Sequence, residues 1–63
     1  MLMSLKAIRI NKGLTQKEAA KLLEISPTKL HRWEHAITLP RVEEIKRIEA
    51  VYDVNYNDIS FGV

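Results

Sequence analysis

Between residues 16 and 34 the chain reads QKEAAKLLEISPTKLHRWE, and its apolar positions fall at helical spacing. Ala19 and Leu23 are four apart, Leu30 and Trp33 three apart, and together with Ile25 they form one inward set. The pattern predicts two short helices joined by a tight turn. Thr15 and Glu18 form the T-x-x-E of a capping box, so the first of the two should span about residues 16–23. Ser26 supplies a second N-cap, with Pro27 at the first helical position, where its missing N–H is no loss. Only Glu24 and Ile25 remain to turn the chain, and Ala20 is small where the second helix must pass close by.

The opposite side of that second helix carries Thr28, Lys29, His31 and Arg32. One short helix thus has an anchored apolar side and an outward face of donors and cations, as a helix that enters the DNA major groove requires. A plain two-helix hairpin would share the apolar pattern but need not share the polar one.

The flanking segments extend the helical pattern. Residues 1–12 read as a first helix, with Ser4 as a candidate cap, Leu5 and Ile8 on its inner side, Ile10 half exposed and Gly13 as a stop. Residues 35–39 form a loop closed by Pro40, in which Ile37 and Leu39 are expected to pack against the bundle. A fourth helix over residues 41–52 follows, with Val42, Ile45, Ile48 and Tyr52 at helical spacing. Asn55 can cap one more turn over residues 56–59. Ile59, Phe61 and Val63 then alternate with Ser60 and Gly62, the period of a short extended segment. Two arrangements are open for it: a strand carrying a dimer contact, or packing under the first helix.

Charge changes the picture more than composition does. The net charge is only +2, but residues 1–33 hold seven of the ten basic residues and two of the eight acidic ones. The basic half contains the two-helix unit, as expected of a surface that meets phosphate, although an ordinary solvated surface would look the same. At 63 residues the chain has room for one domain, residues 1–63, whose small core would gain from a dimer interface. It has no cysteine, which excludes disulfides and cysteine–zinc sites and fits a cytoplasmic protein. No apolar run approaches the roughly 20 residues needed to span a membrane, and no signal peptide is visible.

Arg9, the G-L-T-Q of residues 13–16, Ala20, Ser26, the W-E pair Trp33–Glu34 and Pro40 together resemble the phage repressor and Cro type of helix-turn-helix, the XRE family. The resemblance covers about residues 5–59. It implies an all-α fold, a compact lambda-repressor-like bundle of four or five helices with its helix-turn-helix at about residues 16–34 and room for a short C-terminal strand. It also implies DNA binding as a dimer and a role in transcriptional control. In the family the arginine matching Arg9 pairs with the glutamate matching Glu34, so these two are expected to form a structural ion pair. The chain departs from the family after Glu34: the usual Asn-Gly is His35-Ala36, and the usual basic loop is Ile37-Thr38-Leu39.

On this frame, base contacts are expected from Ser26, Pro27, Thr28, His31 and Arg32, with Thr28 and Arg32 one turn apart on the same face. Pro27 cannot donate a hydrogen bond and can offer only apolar contact. Gln16 is expected on a backbone phosphate, with Lys17 and Lys29 beside it. The expected target is double-stranded DNA, a palindromic operator bound by a homodimer, without any cofactor and in the cytoplasm. The principal function expected is a sequence-specific regulator of repressor type. The alternative is an antitoxin-like or other protein-interaction module on the same fold.

No catalytic constellation is present: the chain has no nucleophile elbow and no phosphate-cradling glycine loop. His31 and His35 lie at the i,i+4 spacing of metal ligands, but only Glu34 offers itself as a third, so no metal is expected.

Overall fold

Three helices begin at a hydroxyl side chain that takes the place of a missing backbone partner. Ser4 Oγ accepts the Ala7 N–H at 3.1 Å, Thr15 Oγ1 the Glu18 N–H at 3.1 Å, and Ser26 Oγ the Lys29 N–H at 3.1 Å. Thr15 is a full capping box, because its own N–H donates to Glu18 Oε1 at 2.9 Å. In this computed structural model, which describes residues 2–61, the order is β1 (Met3–Ser4), α1 (Leu5–Asn11), α2 (Gln16–Leu23), α3 (Pro27–Glu34) and α4 (Val42–Tyr52). A 3-10 turn (Tyr56–Asp58), capped by the Asn55 side chain, and β2 (Ile59–Ser60) complete it. This is the small helical bundle with a short C-terminal strand that the sequence implies.

The first two helices each give way to a residue in the left-handed conformation. After α1, Gly13 takes φ +72°, a left-handed backbone that costs glycine little. After α2, Glu24 takes φ 59° although it has a side chain, and the Ile25 N–H returns to Ala20 O at 3.0 Å. Ile25 and Ser26 then carry the chain straight into α3. The core joins Leu5 and Ile8 of α1, Ala19, Ala20 and Leu23 of α2, Leu30 and Trp33 of α3, Ile48 and Tyr52 of α4, and Ile59. α2 packs on both α3 and α4, so the helix-turn-helix unit is held from behind by the fourth helix.

The two-residue strands pair in parallel, Met3 with Ile59 and Ser4 with Ser60. This corrects the expected first helix over residues 1–12, which begins only at Leu5. Ser4 must be extended (φ −69°, ψ 158°) to cap α1, and that geometry also suits pairing with β2. The pairing sets the C-terminal segment beside β1 of its own chain: Ile59 is buried in the core and Phe61 lies half-buried, its ring 5.7 Å from that of Tyr56. Val63 lies outside the described residues.

The largest departure is the loop between α3 and α4. Ile37 and Leu39 do not pack inward but stand 65% and 66% exposed, and Val42, expected on the inner stripe of α4, is 67% exposed. Pro40 alone turns into the body at this corner. Ala36 at φ 57° and the Ile37 N–H bonded to Arg32 O at 2.9 Å close α3 abruptly and swing the following residues outward.

Candidate nucleic-acid interface

α3 is fixed from its inner side. Leu30 and Trp33 are buried, which leaves Pro27, Thr28, Lys29, His31 and Arg32 exposed along the rest of its surface. Thr28 and Arg32 lie four residues apart and therefore project from one face. Ser26, Thr28, Lys29, Arg32 and Trp33 line a groove of about 490 Å³ together with Thr38, Leu39, Arg41 and Glu44. The groove thus gathers hydroxyl donors and guanidinium groups from two separate segments. Thr38 and Arg41 were not singled out from the sequence. Their signal was the polar pair flanking Leu39-Pro40, hidden by the apolar character of the loop.

The other expected site residues are placed as follows. His31 lies against His35, ring centroids 4.1 Å apart, at the exposed end of α3. Among the described residues no group of three or more histidine, cysteine or acidic side chains is placed to hold a metal ion. Lys17 is exposed on α2. Lys29 leans away from the outer face: its ammonium pairs with Glu44 and sits 5.6 Å from the centroid of the Trp33 ring. The Arg41 N–H, donating to Glu44 Oε1 at 2.8 Å, and then Lys29 hold the Glu44 carboxyl below its ordinary value. Lys29 therefore braces α3 against α4 as well as adding charge to the groove.

Behind α3 stands a buried polar cluster. Arg9 Nε donates to Glu34 Oε2 at 2.7 Å and Nη2 to Glu34 Oε1 at 3.2 Å, a two-pronged ion pair whose carboxylate is fully buried. Arg9 Nη1 also donates to Leu14 O at 2.9 Å, tying the α1–α2 connection to the same point. Gln16, the first residue of α2, joins the cluster by donating from Nε2 to Glu34 Oε1 at 3.0 Å. One amide hydrogen of Gln16 is thus turned inward, and the orientation of its side chain is set by Glu34. At the turn itself, Arg47 of α4 reaches Leu23 O with Nη1 at 3.3 Å and Glu24 Oε2 with Nε at 3.8 Å.

Two capped helices joined by a three-residue turn, the second with its polar side outward, make a helix-turn-helix domain. A helix-turn-helix family model matches residues 5–59, and the chain belongs to that family, the XRE-type helix-turn-helix domains of DNA-binding transcription regulators. A curated relative, the HTH-type transcriptional activator BcrR of Enterococcus faecalis, is 31% identical over 58 residues. The match takes in 92% of this chain and 28% of BcrR, so the chain spans little more than a quarter of that relative's length. No solved structure matches the chain. Among the described residues no helix is long and apolar enough to cross a membrane.

Proposed function

We propose that this chain is a sequence-specific regulator that reads double-stranded DNA through the major groove with α3, as a homodimer on a palindromic operator. The observation that carries this is the outward face of α3. Thr28 and Arg32 stand on a helix that the buried Leu30 and Trp33 anchor from behind, and Thr38 and Arg41 line the same groove. Arg32 suits a guanine edge through two parallel hydrogen bonds, Thr28 offers a hydroxyl or a methyl, and Pro27 offers apolar contact. Ser26 and His31 flank them. Gln16 holds a phosphate through the amide hydrogen that Glu34 leaves outward, with Lys17, Lys29 and Arg41 as further phosphate partners.

The role is binding rather than catalysis, and it is exercised where the chromosome is, in the cytoplasm. We assign the direction of control to repression, because occupancy of an operator is enough to block a promoter. The printed name of BcrR favours activation as the second reading. Selection from a random duplex pool tests the proposal: a two-fold-related motif should emerge, bound with an affinity that falls steeply with salt. No enrichment of any sequence would overturn it and leave the protein-interaction module as the function.

A further inference from the structure

A carboxylate lines the groove that Thr28 and Arg32 share, and both of its oxygens are held. Glu44 Oε1 accepts the Arg41 N–H at 2.8 Å, and Oε2 takes the Lys29 ammonium. These partners hold the carboxyl below its ordinary value, so it stays charged at neutral pH. The ammonium is held a second time, 5.6 Å from the centroid of the Trp33 ring. The Lys29 side chain is nevertheless 46% exposed, against 16% for Glu44, so a phosphate can reach the ammonium while the carboxylate keeps its place. Among the described residues Lys17 and Arg32 pair with no carboxylate. Lys29 differs from them in having, within the protein, a competitor for its charge.

We infer that Glu44 is a positioning residue that limits the grip of this domain on the DNA backbone: it holds Lys29 beside Trp33, and Lys29 reaches a phosphate only by giving up that partner. A free lysine is a flexible point charge that meets any phosphate, whatever the sequence. One more such contact releases about one more counterion, which steepens the fall of log K with log salt by about 0.9. A gain of that kind that vanishes at about 1 M salt amounts to about eightfold at about 0.1 M. While Glu44 holds Lys29, a phosphate contact replaces an ion pair instead of adding to the total, so most of that eightfold is withheld on every duplex alike. Arg32 and Thr28 keep their bonds to base edges. A larger share of the binding then rests on the residues that read sequence.

The inference rests on the DNA-reading role of α3, and its test separates the two. Glu44→Gln removes the charge, while the amide oxygen can still accept the Arg41 N–H, as glutamine does at the third position of a capped helix. The start of α4 is thereby kept. Glu43→Gln makes the same change of charge at the exposed neighbour, which does not line the groove, and is the control. Fluorescence anisotropy measures binding to a labelled random-sequence duplex and to the selected one, from about 50 to about 200 mM salt. Glu44→Gln should tighten both by about eightfold at about 0.1 M salt and steepen the slope by about 0.9, whereas Glu43→Gln should gain about twofold at most. In a Lys29→Gln background the same Glu44→Gln step should change affinity by about twofold at most, because the cation that it frees is absent. The inference is overturned if Glu44→Gln binds like the wild type, if Glu43→Gln gains as much, or if the gain is as large without Lys29, which would make Glu44 a plain repelling charge. A gain that depends on Lys29, in a protein that prefers no sequence, would uphold the role of Glu44 and refute the reading of sequence by α3. Failure of every one of these proteins to bind any duplex would refute both.

Discussion

Replacing Arg9 by methionine probes the cluster that holds α1, α2 and α3 in register. Arg9 supplies two hydrogen bonds to Glu34 and one to Leu14 O, and Glu34 has no exposed side-chain surface. Without Arg9 the carboxylate keeps only the Gln16 amide at 3.0 Å and remains out of water. Breaking a buried pair in this way costs about 3–5 kcal/mol, because one charge is left uncompensated. A domain of this size has roughly 3–9 kcal/mol in all, at about 0.05–0.15 kcal/mol per residue. Arg9→Met should therefore remove about a third or more of the stability and lower the melting temperature by roughly 12 °C or more. The double variant Arg9→Met, Glu34→Leu removes both charges, so it should recover most of that loss. It forfeits only the hydrogen bonds of Gln16 and Leu14, about 1 kcal/mol each. Urea unfolding followed by far-ultraviolet circular dichroism measures all three proteins. A single variant within about 1 kcal/mol of wild type, or a double variant no better than the single, would refute the reasoning.

Three further outcomes follow from local geometry. Glu24→Gly should stabilise the fold by about 0.5–1 kcal/mol, since relief of the left-handed strain at φ 59° exceeds the loss of an exposed ion pair with Arg47; a lower melting temperature would show that Arg47 matters more than the strain. Burial, and then the nearby Glu34 charge, push the Tyr52 phenol up to about 12, and its hydroxyl has no hydrogen-bond partner among the described residues. A raised folded value means stability fully present below about pH 10 and lost as pH rises through about 12, so Tyr52→Phe should flatten that alkaline loss without lowering stability at neutral pH. Glu18 and Glu44 are both held below 4.5, chiefly by the backbone N–H groups of Thr15 and Arg41. Lowered folded values mean stability present above about pH 4.5 and lost as pH falls, so Glu18→Gln with Glu44→Gln should make the acid limb of the stability curve shallower, and an unchanged limb would contradict the assignment.

What the sequence disclosed best was whatever depends on neighbours three or four residues apart. The Thr15–Glu18 capping box, the Ser26-Pro27 helix start and the inward spacing of Leu30 and Trp33 are all local, and periodicity reads them directly. Residues far apart in the chain were less legible. Met3–Ser4 and Ile59–Ser60 are too short to show a strand's alternation, and their pairing joins the two ends of the chain. Ile37, Leu39 and Val42 are apolar, and apolar identity predicts burial without saying whether this chain or another body supplies the cover. Their outward swing follows from the way α3 ends at Ala36, which no spacing rule expresses. Lys29 looked like a free cation because its partner, Glu44, lies on another helix. Thr38 and Arg41 entered the groove for the same reason, through a loop whose path the sequence left open.

The reading of DNA by α3 is tested most directly by comparing Arg32→Ala with Gln16→Ala on a selected duplex and on its single-base variants. Arg32→Ala should lose about 1–3 kcal/mol on the selected site and almost nothing on the site changed at one base pair of each half, so that preference at that pair collapses. Gln16→Ala should weaken binding to every duplex alike, as the loss of a phosphate contact does. If Arg32→Ala instead loses the same affinity on every duplex, Arg32 touches only the backbone and α3 does not read sequence through it.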